Sequence, residues 1–211
     1  MHPQIMRAVI QFPLLLFSIT VHEYFHGLMA EKKGDDTARL LGRLTLNPAA
    51  HIDIIGTIVL PLIAIVSGFP LFGWAKPVPI NPMRLRNRRQ DMMMIGIAGP
   101  VANFSIAFVS AMLLRGIRLA GAFYMFTPLL QYLLVINVIL GVFNLVPVPP
   151  LDGSHILGGL LPAEMAYRYE RISRYGFIII IFLLYSGVLW GVLLPVVSFI
   201  VRWLGGGGIY G

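Results

Sequence analysis

The chain has 211 residues, 57% of them hydrophobic and only 12% charged, with a mean hydropathy of +0.81. That charged fraction is about half of what a soluble domain carries, so the composition excludes an ordinary soluble globule and points to the bilayer. Sixteen basic residues against nine acidic ones give a net charge of +7. The basic residues cluster in short connections between apolar runs, a mark of membrane topology and not of nucleic-acid binding.

The first apolar stretch, 5 to 30, is expected to be a membrane helix. Arg7 is its one early basic flank and no small-residue cleavage site follows, so it is expected to be retained and not removed as a signal peptide. Near its end stands His22-Glu23-Tyr24-Phe25-His26. Helical side chains four apart share a face, so the two imidazoles can close on one metal ion with Glu23 near a water on that ion. His-Glu-x-x-His is the zinc hydrolase spacing, with the glutamate as general base. A carboxylate and two imidazoles among Leu14, Leu15, Leu16, Phe17 and Val21 are expensive in lipid, which makes a functional role the default.

From 37 to 47 the pattern alternates. Thr37, Arg39, Arg43, Thr45 and Asn47 fall on one side and Ala38, Leu40, Leu44 and Leu46 on the other, with Gly42 between. This predicts a small membrane-associated β element. It would be either an amphipathic hairpin at the interface or an edge strand that pairs with an extended substrate.

Four further apolar stretches follow, at 52 to 72, 92 to 114, 128 to 148 and 177 to 204. The last three are long enough to cross a hydrocarbon core, which takes about 20 helical residues. The stretch from 52 carries Gly56, Pro61, Gly68 and Pro70, which suit a broken or re-entrant segment. Basic residues crowd the connections on both sides of it (Lys32, Lys33, Arg39 and Arg43 before; Lys76, Arg84, Arg86, Arg88 and Arg89 after), so both connections are read as cytoplasmic. The loop from 163 to 174, with Arg168, Arg171 and Arg174, is read as cytoplasmic too. The expected fold is an all-α polytopic membrane protein with four to five transmembrane helices, the lower count having a re-entrant hairpin and both termini outside. It forms a single domain, with a motif-bearing core of about 5 to 161 and an extra span at about 177 to 204.

A catalytic zinc site commonly has three protein ligands, so two histidines need a partner. Cysteine is absent, which leaves histidine and carboxylates as the plausible ligands, and acidic residues in or beside the apolar stretches are few. Asp53 opens the stretch from 52, and Asp152 follows Asn144-Leu-Val-Pro-Val-Pro-Pro-Leu. There Pro147, Pro149 and Pro150 must break the helix, and irregular backbone at membrane depth survives only where it lines a protein-enclosed or wet cavity. A carboxylate presented from such a break makes a good ligand.

Taken together, His22-Glu23-x-x-His26, then Ala98-Gly99-Pro100-Val101-Ala102-Asn103, then Asn144…Pro147…Leu151-Asp152-Gly153, resemble the site-2 protease family of intramembrane zinc metalloproteases. The resemblance implies one Zn2+ per chain held by His22, His26 and Asp152 below the cytoplasmic surface, with Glu23 activating the water. It also implies that Asn144 lies by the substrate and that Asn103 belongs to the Gly-Pro-x-x-Asn motif. The implied partners are the lipid bilayer and a transmembrane protein or peptide substrate. The implied location is the cell membrane, multi-pass, with the active site open to the cytoplasm. At 211 residues the chain has no room for the PDZ or CBS domain of many relatives, so a minimal form is expected. Two other classes stay open: a zinc carrier, which would string its ligands along a path, and a silent chaperone for membrane segments, which would not need Glu23. His51 with Asp53, and His155, are auxiliary candidates or ordinary interfacial and helix-start residues. Residues 76 to 82, rich in proline, are read as an extended linker or gate.

Overall fold

The computed structural model describes residues 3–59 and 74–205. Helix α1, Pro3–Lys32, has 30 residues, about 45 Å at 1.5 Å per residue. It covers the first apolar stretch and delivers the histidine pair near its C-terminal end.

No strand occurs among the described residues, and the alternating segment is the clearest correction. Thr37–Leu40 is a single helical turn, α2. The Asp35 carboxylate explains its start, accepting from the Thr37 amide at 3.1 Å and from the Thr37 hydroxyl. Gly42, at φ +65, explains its end. The Gly42 amide bonds to the Arg39 carbonyl and the Arg43 amide to the Ala38 carbonyl, the paired closure of a helix that stops in a left-handed residue. Alternation on paper lost to local capping, because no strand to pair with lies among the described residues. Leu40, Leu41 and Leu46 are left facing outward.

A 3-10 turn at Pro48–His51 and a π turn at Ile54–Val59 follow. The expected re-entrant or fifth spanning segment at 52 to 72 lies largely outside the described residues. Its described flanks meet: the Gly56 carbonyl accepts from the Trp74 amide at 3.2 Å and the His51 carbonyl from the Lys76 amide at 2.9 Å.

Helices α3, Arg88–Ala120, and α4, Thr127–Asn144, form the centre of the fold. Asn87 caps the start of α3 and Gly121 ends it. Small residues on α3, Ala107 and Ala111, let α4 approach closely through Leu134, Val138 and Val142, the close packing that helices in lipid depend on. After the proline-rich break come α5, Asp152–Leu160, and α6, Ala163–Glu170. The loop expected at 163 to 174 is thus helical, helped by the Glu164–Arg168 pair one turn apart. The stretch from 177 is not one straight span. It divides into α7, Gly176–Tyr185, and α8, Val188–Trp203. The bend is 74°, and Gly187 at φ +75 makes it. Leu189, Leu193, Val197 and Val201 of α8 complete the core against α3 and α4.

Among the described residues, two helical stretches are long and apolar enough to cross a membrane, Arg88–Ala120 and Tyr124–Asn144, or three if the bent pair counts as one. Helix α1 is not among them, since His22, Glu23 and His26 dilute the apolar character of its described part. The outer surface is apolar all the same: Phe12, Phe17, Phe108, Leu113, Phe182 and Phe199 are 45–69% exposed. Acyl chains, not water, suit a surface of that kind.

Candidate metal centre

Three elements build the centre. On α1, the four-residue spacing sets His22 and His26 edge to face, with their ring centroids 4.5 Å apart and their Nε2 atoms 2.9 Å apart. The prolines after α4 end that helix and swing the chain back, so that Asp152 opens α5. Its Oδ2 lies 3.2 Å from His22 Nε2 and its Oδ1 3.2 Å from His26 Nε2. All three ligand atoms fall within 4.8 Å of one another. The third element is α3, which passes behind the histidines at Gly99. A Cβ there would lie under 3 Å from His26 Nε2 and from His22 Cε1, so only glycine leaves room for both rings. Both histidines are 6% exposed.

The protons decide what the centre can hold. His26 Nδ1 lies 2.7 Å from the Ile95 carbonyl, which can only accept, so Nδ1 carries the proton. His22 Nδ1 lies 2.6 Å from Asn103 Oδ1, again an acceptor. Each Nε2 is therefore left with a lone pair, and the two lone pairs face each other beside a carboxylate. Asp152 Oδ2 is buried and, despite its nearness to His22, has no hydrogen-bond partner. Three lone-pair donors converging without a proton call for a cation, and a His-His-carboxylate set suits zinc. Ile95 lies seven residues along α3 from Arg88, which sets the centre about 10 Å beneath that basic end.

Glu23 is next to the first histidine but outside the ligand triangle. Its Oε2 accepts from the Val78 amide at 2.8 Å. The stretch expected to be an extended linker therefore lies over the base, with Val78 buried beside Gly27. Asn103 is joined directly to the centre through His22. Asn144 turns its amide nitrogen to the Leu140 carbonyl of its own helix, at 3.0 Å, and is not among the residues that converge. His51 is buried with Nε2 on the Thr45 carbonyl at 2.9 Å, and Asp53 accepts from the Gly56 amide at 2.7 Å, so neither joins the cluster. His155, one turn after Asp152, lines a cavity of about 620 Å³ with Arg89, Met92, Ser154, Tyr169 and Glu170. Burial pushes its imidazole down from 6.5, with Asp152 opposing.

Two residues of this neighbourhood escape the sequence reading. Asn137 and Ser18 are both fully buried and hydrogen-bonded to each other at 2.8 Å, and Asn137 also accepts from Asn103. The signal was available for Asn137, an amide at the middle of a largely apolar span whose other amides, Gln131 and Asn144, stand nearer its ends. Ser18 carries none, since serine is unremarkable in membrane helices.

Comparison with known proteins agrees with this chemistry. Residues 117–187 match the model of Peptidase family M50. YwhC of Bacillus subtilis, which bears the name of a candidate zinc metalloprotease, is 40% identical over 191 residues, 85% of this chain and 83% of its own length. Rip2 of Mycolicibacterium smegmatis, named likewise, is 31% identical over 82% of this chain and 66% of its own. Zinc metalloprotease MJ0392 of Methanocaldococcus jannaschii is 28% identical over 79% of this chain and 38% of its own. No solved structure matches significantly. The ligand geometry and these relatives lead to one conclusion: the chain belongs to Peptidase family M50, the site-2 protease family of zinc metallopeptidases.

Proposed function

We propose that this zinc protease is an intramembrane endopeptidase that hydrolyses peptide bonds in or beside transmembrane segments of other membrane proteins. His22, His26 and Asp152 hold the zinc and Glu23 is the general base. The single observation that carries the reading is the convergence of three ligand atoms within 4.8 Å inside a protein whose outer surface is apolar.

The chemistry supplied by zinc is Lewis acidity, which brings a water's pKa from 15.7 toward about 7 and polarises the scissile carbonyl. Glu23 takes the proton of the attacking water and returns it to the leaving amine. The Val78 amide engages only Oε2 of Glu23, which leaves Oε1 of the carboxylate to accept from the water. The Asn144 amide nitrogen is engaged by its own helix, which leaves its oxygen to accept from a substrate amide. Water and product travel through the cavity lined by His155 and Arg89. Arg84, Arg88 and Arg89 lie toward that end of the bundle, and this excess of basic residues supports a cytoplasmic orientation of the site in a multi-pass cell-membrane protein.

The test is zinc quantification and cleavage of a model membrane substrate in detergent, with the parent, Glu23→Gln and Asp152→Ala. Glu23→Gln is expected to keep its zinc and lose about 10²–10⁴-fold in turnover; Asp152→Ala is expected to lose both. Parent-level turnover in Glu23→Gln would remove the base from the mechanism. Cutting confined to soluble peptides would remove the intramembrane substrate.

A further inference from the structure

Behind the metal centre, polar side chains from three helices form a hydrogen-bonded relay. Ser18 of α1, Asn103 of α3 and Asn137 of α4 are each 0% exposed. The direction of every bond in it follows from its ends. The Leu133 carbonyl, 2.9 Å from Asn137 Nδ2, can only accept, which fixes that amide's orientation. The Ser18 hydroxyl donates to the Leu14 carbonyl at 2.8 Å, so its oxygen receives the second Asn137 proton, also at 2.8 Å. Asn137 Oδ1 is then turned to Asn103, whose Nδ2 donates to it at 2.8 Å. Asn103 Oδ1 is left facing His22 Nδ1 at 2.6 Å. An acceptor at that distance keeps the proton on Nδ1 and the lone pair on Nε2.

We propose that Asn137 is a positioning residue that acts through Asn103 to hold His22 in the Nδ1–H tautomer, the form whose Nε2 can bind metal. The proposal rests on the reading of His22 as a zinc ligand. Asn137 touches neither ligand nor base. What it controls is which end of the Asn103 amide meets the imidazole. Without it, the one remaining tie on that orientation is a 3.4 Å contact from Asn103 Nδ2 to the Ser18 carbonyl, too long to hold it. A turned Asn103 would present N–H to Nδ1, draw the imidazole proton to Nε2 and block the ligand atom. A merely structural amide that glues helices together would leave the tautomer alone.

The experiment uses the full chain in detergent, with 15N-labelled histidine. The His22 signal is assigned by its loss in His22→Gln, and its tautomer is read from two-bond 1H–15N correlations in zinc-free protein. Zinc affinity is read by competition with a chelator. The parent is expected to show the Nδ1–H form. Asn137→Leu is expected to show a mixture and to lose about 10–100-fold in zinc affinity. Asn137→Asp, which offers Asn103 an acceptor in either protonation state, is expected to restore both. An Nε2–H His22 in the parent overturns the proposal with no variant needed, so a poorly folding Asn137→Leu does not shield it. Parent-like tautomer and affinity in Asn137→Leu also overturn it. Parent-level zinc affinity in His22→Gln would instead remove His22 as a ligand, while the tautomer of the zinc-free protein still decides the relay.

Discussion

Substituting alanine at Gly99 tests the packing of the metal centre most sharply. The added Cβ would sit under 3 Å from His26 Nε2 and His22 Cε1. Neither ring is free to retreat, because His22 is tied to Asn103 at 2.6 Å and His26 to the Ile95 carbonyl at 2.7 Å. Forcing one methyl into such a site costs about 1–3 kcal/mol. At 1.4 kcal/mol per tenfold, that becomes a loss of about 5–150-fold in zinc affinity. Gly116 of the same helix supplies the control, since a Cβ there meets nothing within 4 Å. Gly116→Ala should bind zinc like the parent and gain up to about 1 kcal/mol of helix stability. Chelator competition in detergent measures the affinity, and the thermal midpoint reports on folding. Gly99→Ala with the zinc affinity of the parent would refute the claim that the centre is bounded by this glycine.

Val78→Pro removes the amide that bonds Glu23, a charge-assisted hydrogen bond worth about 1.5–3 kcal/mol; the 74–81 segment should become more open to proteolysis while zinc content stays unchanged. The His155 imidazole is depressed below 6.5 by burial, so the folded protein prefers it neutral. Its contribution is present above about pH 6.5 and is lost as pH falls below that. Melting of zinc-free protein between pH 7.5 and 5.5 should therefore show a shallower loss in His155→Phe than in the parent; equal slopes would count against it. Gly187→Ala places a side chain at φ +75 and should cost about 1–2 kcal/mol by thermal unfolding, whereas Gly191→Ala, with open space around it, should cost none of that strain.

Much of the centre could be read before any fold was known. His22 and His26 share a helix, and the helical repeat alone puts them on one face. Asp152 is different, since it lies 126 positions beyond His26 by number and reaches the pair only by virtue of the break at Pro147 to Pro150. The strand expected from 37 to 47 failed because alternation records which side chains are apolar, not whether a neighbouring strand exists. Asp35 and Gly42 closed a helical turn there instead. The stretch expected from 177 to 204 is helical on both sides of a bend at Gly187, whose left-handed backbone does not register in a hydropathy window.

Composition, the His-Glu-x-x-His spacing and the proline-broken Asp152 loop determined on their own that this is an apolar protein with zinc chemistry, because helical periodicity and the cost of charge in lipid are local properties. The tertiary structure decided the rest: the room left by Gly99, the Val78 amide over Glu23 and the Ser18–Asn137–Asn103 relay. Each of these is a meeting of residues on different helices, and such distances are set by packing, which no local pattern encodes.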